Sequence, residues 1–286
     1  MERIGVIGGS GIYQIEGLEE GKWVEVPTPF GQPSDKFLIA KYGGREVVFL
    51  PRHGRGHRIS PSCINYRANI WGMKSLGVER IISVTACGSL KEEFKPLDFV
   101  IPTQFVDRTY ERKHTFFDEG IVVHISFSHP VCLELADLIY KLAKEEGVNV
   151  HFGATYLNIE GPQFSTLAES NLYRSWGMDI IGMTNMVEAR LAREAEICYA
   201  TLAAITDYDC WHQSEEVVTA EAVLDNLKKN AENAKRILKK VILKIPSLRS
   251  CSCSEALKDA IVTSPEVIPP EVKRKLEIII GKYIKS

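Results

Sequence analysis

Residues 198–211 read CYATLAAITDYDCW: an apolar run, Cys198–Ile205, passes without a charge into Thr206, Asp207, Tyr208 and Asp209. A run that lacks polar alternation suits a strand buried on both faces. Carboxylates at the mouth of such a strand are costly unless they are hydrogen-bonded or used. Working outward, short runs rich in Val and Ile recur at Ile4–Ile7, Val47–Leu50, Ile81–Val84, Phe99–Ile101, Thr155–Ile159 and Ile180–Met183. Amphipathic stretches between them predict helices over Ile64–Ser75, Pro130–Glu145, Leu167–Trp176, Val187–Glu194 and Ala220–Lys244, with a final one near Pro270–Ile284. In Ala220–Lys244 the residues Val223, Leu227, Ala231, Ala234, Leu238 and Val241 return at three- and four-residue steps. Thr219 reads as its N-cap and Pro246 as its stop. Strands alternating with helices predict an α/β fold in one domain, residues 1–246. A C-terminal extension, 247–286, follows the linker-like stretch Ser247–Ser254 and is expected to pack on the body or on a neighbouring subunit.

The bulk properties narrow the function. Of 286 residues, 45% are hydrophobic and 25% charged, as in an ordinary globular protein. A net charge of −2 lacks the basic footprint of nucleic-acid binding. No apolar run approaches the roughly 20 residues of a membrane helix. The opening MERIGVIGGSG enters a strand pattern at once, so no targeting peptide and a cytoplasmic protein are expected.

Three small-residue segments follow strands. Gly8-Gly9-Ser10-Gly11 brings backbone N–H groups and a hydroxyl close to an anion, although a plain tight turn fits equally. It is neither a dinucleotide fingerprint nor a P-loop. Arg52-His53-Gly54-Arg55-Gly56-His57 offers a planar guanidinium fork and imidazoles to an oxyanion. The alternatives are a solvated surface loop or metal ligation by His53 and His57, which intervening glycines disfavour. Thr85-Ala86-Cys87-Gly88-Ser89 is the third. Ligands of open α/β sheets gather at strand C-termini, so the three together suggest one phosphate pocket.

Asp207 and Asp209, extended, would project to the same side and face an amine-bearing heterocycle, one of them as general acid. The bland alternative is a helix cap and a surface aspartate. In Glu160-Gly161-Pro162-Gln163-Phe164-Ser165, Phe164 suits stacking on a base or simply the core. Met183-Thr184 offers a soft contact for a sugar and a hydroxyl for phosphate. Cys63, Cys87, Cys132, Cys198 and Cys210 are dispersed and read as free thiols by default. Cys251 and Cys253 form a C-x-C pair in a polar stretch. With no two further ligands nearby in the sequence, zinc is disfavoured; a strained disulfide and free thiols both fit.

The segments IGVIGGSGIY, TPFGQPSD, RHGRGH, NYRANIWGMK, TACGSLKEEFKP, EGPQFSTLAE and ITDYDCW, in this order between about Ile4 and Lys244, resemble the 5′-methylthioadenosine phosphorylases of the trimeric purine nucleoside phosphorylase superfamily. The resemblance implies a mixed sheet curled toward a barrel and ringed by helices, in a homotrimer or a dimer of trimers. It implies phosphate binding by Ser10, Arg52, His53, Thr85, Ala86 and Thr184, with Met183 against the ribose and Phe164 and Ser165 near the base. His124 is expected to reach a neighbour's 5′ pocket, and Ala220, Val223 and Leu224 to receive a methylthio group. Asp207 is expected to protonate or hydrogen-bond N7 of the leaving base, and Asp209 to accept from the 6-amino group. Inorganic phosphate is then a co-substrate, with no metal or organic cofactor.

Departures from the family pattern touch substrate breadth. Ser10 replaces a threonine, Gln163 a frequent arginine, Asn185-Met186-Val187 a Thr-Val-Pro, and Ala220 a valine, while Glu188 is kept. The C-x-C resembles an element of thermophilic members whose disulfides reinforce the oligomer, which suggests Cys132–Cys198 as a second bridge. Competing readings are a purine nucleoside phosphorylase that also takes inosine, a nucleosidase using water, a nucleoside-binding module without turnover, and a metal hydrolase built on His53 and His57.

Overall fold

The computed structural model describes residues 3–9, 11–212 and 220–284, with the side chains of 220–225 outside the description. Nine strands form one sheet: β1 (Arg3–Gly8), β2 (Glu19–Val24), β3 (Phe37–Tyr42), β4 (Arg45–Pro51), β5 (Val78–Ser89), β6 (Phe99–Arg108), β7 (Val150–Ile159), β8 (Ile180–Gly182) and β9 (Cys198–Asp207). Their order is β2-β3-β4-β1-β5-β8-β7-β6-β9, and β9 also pairs with β5. That extra pairing closes β5, β8, β7, β6 and β9 into a barrel-like ring, with β2, β3, β4 and β1 as a flap.

Helices α1 (Tyr66–Ser75), α2 (Leu133–Glu145), α3 (Leu167–Ser175), α4 (Asn185–Glu194), α5 (Ala220–Lys244) and α6 (Pro270–Ile280) surround it. Alternate residues of β4 show why the runs lack polar alternation. Val47 and Phe49 enter an apolar layer with Leu135 and Ile139 of α2 and Leu238 and Val241 of α5. Val48 and Leu50 enter the opposite layer with Ile70 of α1, Leu191 of α4 and Leu276 of α6. Both faces of the strand are therefore buried.

Several boundaries differ from the expectations. The strands β5, β6 and β7 run well beyond their apolar centres, so Thr85–Ser89 is strand and not a turn. Opposite Cys87 and Gly88 the register skips Thr206, a bulge on β9 just before Asp207. β2 and β3 were not anticipated; β2 is exposed along most of its length and carries no apolar periodicity. The final helix stops at Ile280. Beyond Pro246 the chain packs on the body: Cys253 is buried in the first apolar layer and Leu257, Ile268 and Leu276 in the second. No helix among the described residues is long and apolar enough to cross a membrane. The two expected disulfides are not formed. All seven cysteines are free, and the sulfurs of Cys132, Cys198, Cys251 and Cys253 surround one another without pairing.

Candidate active site

Strand direction assembles the site. β1 runs parallel to β4 and β5, and β5 parallel to β9. Their C-terminal ends therefore share one end of the sheet, with Gly8 opposite Pro51 and Gly88 opposite Asp207. The Arg52 N–H donates to the Gly8 carbonyl (2.9 Å), which ties the first two loops together. The buried Arg52 guanidinium donates to Glu188 through Nε and Nη2 (2.5 and 3.1 Å), to the Val84 carbonyl (2.9 Å) and to Ser83 Oγ (2.5 Å). Burial works against this charge, and Glu188 more than offsets it, so Arg52 stays cationic. Four of its five N–H groups are engaged by these bonds, so one Nη1 hydrogen remains for a ligand.

Beneath it lies a hydrogen-bonded lattice. Ser83 Oγ and Tyr199 Oη both donate to Glu188 Oε2 (2.8 and 2.9 Å). Asn185 Nδ2 meets Ser83, Tyr199 and Thr201 at 2.9–3.0 Å. Thr184 is buried at the N-cap of α4, its hydroxyl not used to cap the helix. The open N–H groups of a helix start favour an anion. Ala86 is exposed although Thr85 and Cys87 on either side are buried, so β5 opens to solvent at that residue.

His53 is held by a 2.8 Å contact between Nδ1 and the Ile59 carbonyl, and its ring stacks on His57. A carbonyl only accepts, so Nδ1 carries the hydrogen and Nε2 presents a lone pair. Burial and the adjacent Arg52 charge push the imidazole down to about 4, which keeps it neutral near pH 7.

At the end of β9, Asp207 accepts from Thr206 Oγ1 (2.6 Å) and from the Asp209 N–H (2.8 Å). The two aspartates meet, though not by strand alternation. The chain leaves the strand at Asp207, and Asp209 takes a left-handed conformation (φ 54°). Asp209 is buried and Asp207 is more open. Burial pushes the Asp209 carboxyl up, against the pull of the Ser170 and Ser165 hydroxyls. Gly88 matters here, because a Cβ would lie 3.0 Å from both Asp207 Oδ1 and Ile181 Cγ2. The start of α5 is moored alongside, with Asn226 and Asn230 donating to the Thr206 and Ile205 carbonyls (both 2.8 Å).

The Glu160–Ser165 loop closes another side. Glu160 accepts from Ser62 Oγ (2.5 Å), the Tyr110 N–H (2.8 Å) and Arg112 Nε (3.1 Å). Arg112, which no sequence motif singled out, also binds the Met183 and Glu160 carbonyls and so fixes Met183 beside this loop. Gly161 (φ 70°) lies so close to the Met183 sulfur that a side chain there would collide. Phe164 is 65% exposed. His124 is not drawn into this group. It is exposed, its N–H bonded to the Ala260 carbonyl (2.9 Å), and it borders a cleft with His129, Arg193 and Ser252. Ser10 lies outside the described residues, as do the side chains of Ala220, Val223 and Leu224.

The buried Arg52–Glu188 lattice and the Asp207–Asp209 pair stand at the same end of the sheet, and the sequence comparisons give the family. The chain belongs to the Phosphorylase superfamily, whose profile matches residues 3–243. Within it the similarity is to S-methyl-5′-thioadenosine phosphorylases. That of Koribacter versatilis (strain Ellin345) is 55% identical over 280 residues, covering 98% of this chain and 96% of the relative. That of Geobacter sulfurreducens is 54% identical over 282 residues, covering 98% and 99%. Among solved structures, a methylthioadenosine phosphorylase from an Antarctic soil metagenomic library superimposes with a TM-score of 0.93 at 48% identity, covering 97% of this chain and 98% of that one. A mutant adenosine/methylthioadenosine phosphorylase of Schistosoma mansoni in complex with adenine gives 0.86 at 35% identity, covering 92% and 99%.

Proposed function

We propose that the protein uses inorganic phosphate to cleave 5′-methylthioadenosine into adenine and 5-methylthioribose-1-phosphate. The observation that carries this reading is the convergence of Arg52, His53, Thr85 and Asp207 at one end of four parallel-linked strands. Phosphate sits against the remaining Arg52 N–H, the hydroxyls of Thr85, Thr184 and Ser10, and the backbone of Ala86. As the monohydrogen dianion it donates its own proton to the His53 lone pair. A phosphate oxygen attacks C1′ while the C1′–N9 bond breaks, so the sugar passes through a cationic state between phosphate and base. Asp207, the more open carboxylate, supports N7 as it gains a proton. Across the whole reaction the hydrogen lost by phosphate is the one gained by adenine, so no metal or redox partner is needed.

Asp209, whose buried Oδ2 has no hydrogen-bond partner among the described residues, accepts from the 6-amino group. An acceptor at that position opposes a 6-oxo group, because two acceptors would face each other unpaired, so adenine is preferred over hypoxanthine. Met183 lies against the ribose, Phe164 stacks on the base, and Ala220, Val223 and Leu224 receive the methylthio group. Apolar discrimination of this kind is worth about 1–3 kcal/mol, which makes adenosine a poorer substrate and not an excluded one. We place His124 in the 5′ pocket of a neighbouring subunit, in a homotrimer or a dimer of trimers.

Adenine release from 5′-methylthioadenosine, with and without phosphate and with inosine alongside, tests this reading. Phosphate-dependent release that spares inosine is expected. Release without phosphate would mean hydrolysis by water, and no release would leave a binding module.

A further inference from the structure

At the far end of β9 from Asp207, four cysteines from three separate segments meet. Cys132 is the N-cap of α2, Cys198 begins β9, and Cys251 and Cys253 flank the start of a 3₁₀ turn over Ser252–Glu255. Their sulfurs all lie within 4.8 Å of one another, with Cys198 and Cys251 3.3 Å apart. A tetrahedral zinc thiolate shell with bonds of about 2.3 Å has sulfur–sulfur edges of about 3.8 Å. A disulfide needs about 2.05 Å. The quartet therefore has the dimensions of a coordination shell. We propose that Cys132, Cys198, Cys251 and Cys253 hold one zinc ion, as a structural site that fastens the C-terminal segment to the body.

The surroundings suit that load. The Cys132 N–H donates to the Tyr199 carbonyl (2.8 Å), which fixes the backbone between two of the ligands. Ser250 Oγ donates to Glu134 of α2 (3.0 Å), which holds the C-x-C segment against the helix that Cys132 begins. Cys132 stands at the start of a 13-residue helix without using its side chain as a cap, a position that favours a thiolate. Four thiolates around a divalent ion leave a dianionic complex. Arg80, a buried residue of β5, is paired in register with Cys198. Cys132, Cys198 and Cys253 are buried and Cys251 half-buried, so water has limited access to the sulfurs.

Soft sulfur ligands in a tetrahedron select zinc over magnesium or calcium. With four protein ligands no position is open to a substrate, which makes the site structural. Nine residues of strand separate it from Asp207, about 30 Å at 3.3 Å per residue. Binding turns the remaining thiols into thiolates and releases their protons to solvent.

The test uses the untagged full-length protein as purified. Elemental analysis should give about one zinc per chain that survives dialysis. Alkylation should spare these four cysteines in the native protein and reach all seven after denaturation with a chelator. Two disulfides, seen as an intact mass short of two hydrogens per bridge, or four metal-free thiols would overturn the proposal; stoichiometric iron would overturn the choice of metal. Cys253→Ser should lose the zinc while Cys63→Ser keeps it. If the Cys253 variant does not fold, wild-type protein refolded with Co²⁺ should show tetrahedral thiolate charge-transfer bands, and their absence counts against the site. Stripped protein should keep its turnover at low temperature and unfold at a lower temperature. A folded, stripped protein without turnover would refute the structural role, and zinc content is read independently of whichever substrate the enzyme takes.

Discussion

The two ends of β9 hold reactive side chains in opposite ways. At the Asp207 end the groups are fixed by unlike partners, Arg52 by Glu188, Ser83 and the Val84 carbonyl and His53 by the Ile59 carbonyl, and valences are left over: an Nη1 hydrogen on Arg52 and a lone pair on His53. At the Cys198 end four like groups close on one another and leave nothing pointing outward. The first arrangement is built to receive a ligand from solvent and release it. The second is built to retain one. Strand, register and burial are common to both, so what separates a catalytic end from a structural end is where unsatisfied valences remain.

The sharpest way to break this comparison is at Asp207. Asp207→Asn should lower kcat by roughly 10²–10⁴-fold if proton transfer to the base passes through it, with zinc content unchanged. A kcat within a factor of a few of wild type, from steady-state assays, would remove Asp207 from the chemistry. Next in size is Glu188→Ala. It strands the buried Arg52 charge, so denaturant unfolding should show a loss of about 3–5 kcal/mol, although the change lies at the catalytic end. A loss under 1 kcal/mol would mean that the pair is not buried in solution.

A pH series sharpens the comparison further. His53 is held near 4 in the fold against an ordinary 6.5. The unfolded chain therefore binds a proton that the native one does not, and stability should fall as pH drops through that window. His53→Gln should flatten the slope in urea midpoints measured from pH 7 to 4, and an unchanged slope would place the titration elsewhere. The smallest stability effect belongs to Phe164→Ala. At 65% exposure it should shift stability by no more than about 0.5 kcal/mol, while raising KM more than it lowers kcat if the ring stacks on the base. An unaltered KM would return Phe164 to the surface.

The fold could be read in the sequence wherever burial was two-sided, because uninterrupted apolar runs such as Cys198–Ile205 have no other soluble home. β2 escaped because its pattern is written in charges, and the outer halves of β5, β6 and β7 because they mix polar and apolar residues. Candidate site residues could be read where they followed strands: Arg52, His53 and Asp207 stand where parallel strands end. Arg112 could not. It sits in a polar, irregular stretch, and its partners Tyr66, Glu160 and Met183 are 46, 48 and 71 positions away. The sulfur cluster failed for the same reason. The C-x-C pair seemed to lack companions only because Cys132 and Cys198 reach it through tertiary folding.

Ring closure has a bearing on behaviour at high concentration. Because β9 bonds to both β5 and β6, the ring has no terminal strand, and among the described residues the terminal strand of the sheet is β2. That strand carries Glu19, Glu20 and Lys22. Its register with β3 is broken between Glu19 and Lys22, and Glu20 takes a left-handed twist. A charged, bulged margin is a poor template for another chain's strand, so the fold guards against edge-to-edge aggregation at its terminal strand.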